Sequence, residues 1–276
     1  MEGFVMGATE IFFDGDAPKH YDRYLGPILF HSYADDLADR LLLRGSLKDV
    51  LELACGTGIL TRRLLDRLSP MARLIASDLS LPMMVYAKER IGSSERVEWR
   101  QADATSLPFP DAAFDAVICQ FGVMFFPDKL TAMKEVRRVL RPGRSFLFNV
   151  WGSLEDNVLP RIAYQAVRER VSDSPPEFMN IPFGYYQPEI IRAVLHQAGF
   201  RDVEISNVET KGNGFYARDF TTGILKGSPL ESKLQDRGVD LRELIDTVVS
   251  HISQECGDPI RDVRMLALAV TAKAGE

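Results

Sequence analysis

The 276 residues are 46% hydrophobic and 26% charged with a formal net charge of −6, a composition that fits one domain with insertions, or one domain plus a small cap. This mild acidity, with no Lys/Arg cluster to offset it, argues against DNA or RNA as a partner. No apolar stretch approaches bilayer-spanning length, and Met1 to Ala8 lacks a basic leader joined to an apolar core.

Three scattered cysteines, Cys55, Cys119 and Cys256, suit neither a disulfide framework nor a metal site, so a cytoplasmic protein without a metal or membrane insertion is expected. Residues 1 to 32 read as a partly ordered leading segment. The breaker cluster Asp14-Gly-Asp-Ala-Pro18 precedes a run rich in rings: His20, Tyr21, Tyr24 and Phe30. Tyr21 and Tyr24 are three apart and would share one face of an α-helix. Ala34, Leu37, Ala38 and Leu41 then recur at helical spacing. Leu47 to Ala54 reads as the first strand with its exit, and Gly58 to Leu68 as the helix after it. Leu74 to Ser77 is a second strand closing on Asp78. Ser80 is placed to cap the next helix, with Pro82 in its first turn.

Val97 to Gln101 predicts a third strand ending before Asp103, and Phe114 to Cys119 a fourth. Leu130, Met133, Val136 and Leu140 mark a helix face that Arg141-Pro-Gly143 terminates, and Ser145 to Val150 follows as the fifth strand. Such alternation is the signature of a mostly parallel sheet covered on both faces. Asn157 to Arg170 predicts a helix broken by Ser172-Asp-Ser-Pro-Pro176. Pro188 opens another, with Ile190, Ile191, Val194, Leu195 and Ala198 on its apolar face and Gly199 at its end. Val203 to Val208 and Met265 to Val270 are candidate strands, separated by more than fifty residues that a hairpin cannot explain. An inserted helical cap is expected there. Its Leu241, Leu244, Ile245, Val248, Val249 and Ile252 form an apolar face that must be buried, against the sheet domain or against its copy in a homodimer. With no paired carboxylates beside a histidine, the insertion reads as a lid or contact surface.

The chemistry concentrates in Val50-Leu-Glu-Leu-Ala-Cys-Gly-Thr-Gly58. A strand ends, crosses a Gly-x-Gly turn and enters a helix, which is where open α/β sheets bind nucleotide-like cofactors. Glycines there let a ligand approach the backbone. A dinucleotide fingerprint would need a third glycine where Thr61 stands. Glu52, just before the turn, would repel a pyrophosphate and attract a cationic ligand. Asp78 lies 20 residues beyond Gly58, the spacing at which a carboxylate meets a ribose diol. Asp103 would accept from an adenine amine, with Leu79 and Ala104 against the two ring faces.

These pieces resemble the class I S-adenosylmethionine-dependent methyltransferases, in the branch with the ubiquinone/menaquinone C-methyltransferases and many small-molecule methyltransferases. Four segments carry the resemblance: Glu52 to Gly58, Ser77-Asp-Leu-Ser80, Gln101 to Phe109, and Phe114 to Cys119 with Leu140-Arg-Pro-Gly143 behind it. They span about residues 47 to 150, with a weaker echo from 187 to 208. The resemblance implies a Rossmann-like seven-stranded mixed sheet of order 3-2-1-4-5-7-6, its last strand antiparallel. It further implies S-adenosylmethionine as methyl donor and S-adenosylhomocysteine as product. Glu52 would lie near the methionine end, Asp78 at the ribose and Asp103 at the adenine. Ala54 stands where the family most often has glycine. Ala54, Cys55, Gly56, Gly58, Leu79, Ala104, Cys119 and Tyr21 complete the expected cofactor contacts.

Methyl transfer from a sulfonium is an in-line substitution at an already electrophilic carbon, so orientation and desolvation carry it, with about 7–11 kcal/mol available from proximity. Gln120, Tyr24 and His20 are the candidates to orient the acceptor or act as a base; His31 is the other histidine near the cavity. Phe121, Gly122, Phe30 and Tyr185 are expected around a small organic acceptor. Phe125 and Phe126 read as core packing. The expected segments are 1–45 as helical lid, 46–208 as core, 209–262 as inserted cap and 263–276 as final strand, in a monomer or homodimer. A short NAD(P)-dependent oxidoreductase is the alternative enzyme, although none of the eight tyrosines has a lysine four residues later. A nonenzymatic nucleoside-binding module is the third class.

Overall fold

The computed structural model describes residues 13, 15–92, 94–171, 176–212 and 214–275. Asp14 and residues 172–175, parts of the two expected breakers, lie outside the described residues, as does the start of the chain.

The described chain begins as one helical arm: α1 (Ala17–His20), a π-helical stretch (Tyr21–Phe30) and α2 (His31–Leu42). The Rossmann-like half follows as β1 (Asp49–Leu53), α3 (Ile59–Arg67), β2 (Arg73–Asp78), α4 (Leu81–Ile91), β3 (Val97–Gln101), β4 (Phe114–Gln120), α5 (Lys129–Val139) and β5 (Leu140–Trp151). Then come α6 (Val158–Arg170), α7 (Pro188–Gln197), β6 (Phe200–Gly212), α8 (Ala217–Lys226), α9 (Leu230–Gln235), α10 (Leu241–Cys256) and β7 (Val263–Ala274). The seven-stranded sheet has the order β3-β2-β1-β4-β5-β7-β6, with β7 antiparallel to both neighbours, as the resemblance implies.

Strand alternation sorts the apolar residues onto two faces. Val50, Ala116 and Ile118 join Leu37, Leu41, Leu60 and Leu64 in one core under α2 and α3. Leu51, Leu53, Val117, Phe146 and Phe148 join the second core, which also takes Leu25, Phe30, Phe220 and Leu244 from the helical arm and the insertion. Thus the insertion shares the core of the sheet.

Several boundaries differ from expectation. β6 and β7 run past the predicted Val203–Val208 and Met265–Val270, pairing down to Gly212 opposite Val263. Cross-strand hydrogen bonding extends them through residues whose side chains alternate toward solvent. β5 starts at Leu140, directly where α5 ends, so Arg141-Pro-Gly143 lies in an irregular strand start opposite a register shift in β4. Ser80 occupies the N-cap of α4 but its side chain makes no capping bond. Asp78 Oδ1 instead accepts the Ser80 N–H at 2.7 Å. The apolar face of α10 is covered within the chain, against α6 and α8.

Candidate active site

The site grows from the turn after β1, where Ala54, Gly56 and Gly58 take φ values of 52°, 55° and 82°. Glycine enters this left-handed region freely, whereas the alanine costs about 1–2 kcal/mol. That is a physical reason for the family's usual glycine at position 54. A Cβ on Gly122 would meet the Ala54 Cβ at 2.5 Å and Cys119 Sγ at 2.7 Å. The expected roominess of Gly122 therefore serves the Ala54 methyl. Cys55 N–H donates to Ser77 O at 2.9 Å and Ser77 Oγ to Glu52 O at 2.8 Å, tying the turn to β2. The Gly56 N–H reaches Asp78 Oδ2 at 2.7 Å.

The electrostatics are those of acids without cations. Glu52 is 1% exposed, and the Thr61 hydroxyl donates to its Oε2 at 2.7 Å. Burial pushes the Glu52 carboxyl up to about 8, opposed by the Thr61 hydrogen bond and reinforced by Asp78. Burial also raises Asp78, against the pull of the Gly56 and Ser80 amides. Tyr21 is raised above the ordinary phenol range, by burial first and then by the charge of Asp78. A cationic ligand beside Glu52 would draw its carboxyl toward ionisation. Thr57 adds a buried hydroxyl without a hydrogen-bond partner among the described residues, in the same turn.

Tyr21, Phe30, Glu52, Ala54, Cys55, Gly56, Thr57, Ile59 and Gln120 enclose a cavity of about 30 Å³. The Tyr21 and Phe30 rings stack at 4.8 Å and 15°, forming its roof. That volume suits a water or two, not a nucleoside. The residues nevertheless fit S-adenosylmethionine chemically: a buried acid, Glu52, for a cation, the part-buried Asp78 for a diol, an orphaned threonine hydroxyl, and left-handed backbone that admits close approach.

Of the expected contacts, Glu52, Ala54, Cys55, Gly56, Tyr21, Phe30 and Gln120 meet at this cavity. A Cβ on Gly58 would come within 2.8 Å of Ile91 Cδ1, so that glycine seats the turn on α4. At the ribose and adenine end, Leu79 is 65% exposed at the mouth of the cleft and Ala104 is half-buried. Asp103 is exposed, and its Oδ1 accepts from both the Thr105 N–H and hydroxyl at 2.8 Å.

Other candidates face elsewhere. Cys119 is fully buried in the core, and Phe121 is 5% exposed, stacked on Trp151 at 4.0 Å. Phe121 thus backs the cleft from behind Phe30, at 5.7 Å between centroids. Tyr24 and His20 stack on each other at 5.8 Å, and Tyr24 lies against the place of a Gly223 Cβ. The shared face expected for Tyr21 and Tyr24 fails because i→i+5 winding carries residues three apart to different sides. His31 packs beside Gly26, its imidazole held below the usual histidine range by burial and Arg63. Tyr185 is 7% exposed in the loop before α7, outside the cavity lining. Phe125 is half-buried and stacks with Phe178 at 6.0 Å, in keeping with core packing. Thr57, inside the Gly-x-Gly turn, and Ile59, the first residue of α3, were not anticipated, since nothing in the local sequence sets either side chain toward the cavity. Among the described residues, no group of three His, Cys, Asp or Glu side chains could hold a metal ion. No helix among them is long and apolar enough to cross a membrane.

Comparison with known proteins agrees with this geometry. The family described as "Methyltransferase domain" matches residues 50–143, the segment that builds the cleft. The chain is 33% identical over 176 residues to a demethylmenaquinone methyltransferase of Thermus thermophilus, covering 58% of this chain and 77% of that one. It is 41% identical over 133 residues to a demethylmenaquinone methyltransferase of Staphylococcus aureus, covering 45% and 53% respectively. Among solved structures, a Haemonchus contortus phosphoethanolamine N-methyltransferase 2 bound to S-adenosylmethionine matches with a TM-score of 0.61. That match covers 94% of this chain and 57% of the other at 17% identity, a likeness of fold.

Proposed function

This chain belongs to the class I S-adenosylmethionine-dependent methyltransferases, in the ubiquinone/menaquinone C-methyltransferase-like branch, and from that membership we propose that its cleft serves methyl transfer to a small, partly apolar organic acceptor. The observation that carries the reading is the buried Glu52 carboxyl beneath the Tyr21–Phe30 roof, lining one cavity with the unpartnered Thr57 hydroxyl, with Asp78 bonded to the Gly56 amide of the same turn. Bound S-adenosylmethionine supplies a methyl group already activated by a sulfonium.

The chain's own residues then bind, orient and exclude water. Glu52 offers its carboxylate to the cationic methionine end. Asp78 accepts from the ribose diol, and Asp103 from the adenine amine between Leu79 and Ala104. Tyr21 and Phe30 shut the reacting end from solvent, which strengthens electrostatic contacts inside. The Gln120 side chain donates to Phe30 O at 2.8 Å, so it holds the roof as well as facing the acceptor. Phe121, Tyr185 and Trp151 support an acceptor site with aromatic character. A cytoplasmic setting fits Cys55, Cys119 and Cys256, all free thiols.

Calorimetric titration tests this reading. S-adenosylmethionine and S-adenosylhomocysteine are expected to bind in the micromolar range, with NAD and ATP far weaker. Asp78→Ala should weaken cofactor binding by about tenfold to a thousandfold, the equivalent of about 1.4–4 kcal/mol for losing one or both of the charge-assisted hydrogen bonds that a diol can make. Tight NAD binding would end this reading, and unchanged cofactor affinity in folded D78A would place the cofactor elsewhere.

A further inference from the structure

Lys129 and Tyr185 form a polar pair that the cofactor cleft does not use. Lys129 opens α5, just past the exit of β4 that carries Gln120. Its Nζ lies 5.1 Å from the centroid of the Tyr185 ring and donates to Phe126 O at 3.0 Å. Among the described residues no carboxylate pairs with it. The neighbouring Asp128 carboxylate is taken by the helix cap, accepting the Thr131 N–H at 2.9 Å and hydroxyl at 2.6 Å. Burial alone lowers the Lys129 ammonium below its ordinary range. Here is a cation half withdrawn from water without a counter-charge.

Tyr185 supplies the second, independent observation. It is 93% buried (7% exposed), and its hydroxyl has no hydrogen-bond partner among the described residues. A buried hydroxyl without a partner is costly and uncommon, and points to a group that completes it. Aromatic rings link the pair to the cleft. Phe183, two residues before Tyr185, faces Trp151 at 6.2 Å. Trp151 in turn stacks on Phe121, behind the cavity-lining Phe30.

We propose that Lys129 and Tyr185 together recognise an ionised oxygen on the methyl acceptor, so that the acceptor bears a carboxylate or comparably anionic oxygen. The ammonium supplies charge and the phenol a directed O–H. This inference rests on the methyltransferase reading, which places the acceptor beyond the strand ends of β4 and β5.

The test uses the full chain with S-adenosylhomocysteine bound and two probes of nearly equal shape, 1-naphthoate and 1-naphthamide. Trp151 fluorescence or calorimetry reports their affinities. The wild type is expected to prefer the anion by about tenfold to a hundredfold, the range of one charge-assisted hydrogen bond. Lys129→Met should abolish that preference while leaving amide binding in place, and Lys129→Arg should restore most of it. Tyr185→Phe, which keeps the ring, should weaken naphthoate severalfold and decides the matter if K129M fails to fold. Absence of any preference in the wild type, its survival in K129M, or no binding of either probe would overturn the proposal. If S-adenosylhomocysteine itself fails to bind, the methyltransferase reading falls first; if it binds and the anion preference is absent, only this inference falls.

Discussion

At the scale of single residues, Glu52 sets function against stability. A carboxyl raised by burial to about 8 holds its proton in the folded chain where the unfolded chain has lost it. The stabilisation this gives is complete below the ordinary glutamate range and is lost as pH rises from there through about 8. Glu52→Gln keeps the shape and cannot ionise. Thermal melts of the ligand-free protein should therefore fall in Tm between pH 5 and 8.5 for wild type and markedly less for E52Q. The same variant should bind S-adenosylmethionine more weakly, since a neutral amide attracts no cation. A wild-type Tm that rises across this window would show that Glu52 is already ionised in the free protein. Ala54 is a smaller case of the same compromise. Its left-handed backbone is strained, and Gly122 is the partner that makes its methyl fit.

At the scale of elements, the π-helical stretch Tyr21–Phe30 carries the two stacked rings that cover the cavity of about 30 Å³. It is held from two sides of unequal strength. Asp22 meets the Tyr86 hydroxyl at 3.3 Å and Arg90 Nε at 3.5 Å. Arg90 is largely exposed, so this pair contributes little in water. The other side is a close seam with the inserted cap. A Cβ on Gly227 would meet Gly223 O of its own helix end at 2.5 Å and, across the seam, Tyr21 N at 2.7 Å and Tyr21 Cα at 2.9 Å, all backbone atoms that cannot swing aside. Gly227→Ala should therefore push the roof off the cleft, costing about 1–3 kcal/mol as overpacking does. Stopped-flow measurement should show faster S-adenosylhomocysteine release in G227A and a smaller change in Asp22→Asn. The reverse ranking would make the surface pair the stronger hold. In α10, Leu244 is fully buried, and Leu244→Ala should cost about 2–5 kcal/mol by chemical denaturation.

At the scale of the molecule, one core joins parts that the chain order separates. Leu25 and Phe30 of the arm, Phe148 of the sheet, Val167 of α6 and Leu244 of α10 belong to a single buried cluster. Such sharing leaves no seam along which the cap could melt alone. Differential scanning calorimetry should give one transition with matching calorimetric and van't Hoff enthalpies. A separate low-temperature transition would mark the insertion as an independent unit. Because α10 spends its apolar face on α6 and α8, sedimentation is expected to report a 31.0 kDa monomer. A stable dimer would need a surface other than that face.

Residues close in sequence carried what could be read without coordinates. The strand-and-turn pattern around Glu52 to Gly58, the spacing to Asp78 and the alternation of strands with helices are local, and they carried the family resemblance, which in turn implied the sheet order that the structure has. Hydrogen-bonding periods and backbone sterics act over a few residues, so a linear string preserves them. The arm was legible as a ring-rich helix but not as a π-helix, because winding there is decided by what it packs against. Tyr24 accordingly packs against Gly223 of the cap and stacks with His20, while Tyr21 and Phe30 reach the cavity. Cys119, Phe121 and Gly122 follow a recognisable strand, yet only packing against Ala54 and Trp151 withdrew them from the cleft. Lys129 and Tyr185 lie far apart in sequence and carry no shared motif, and Thr57 is unremarkable until its hydroxyl is found buried. Burial, orphaned hydrogen bonds and the meeting of distant side chains depend on which surfaces are covered, and that is decided only when the whole chain closes on itself.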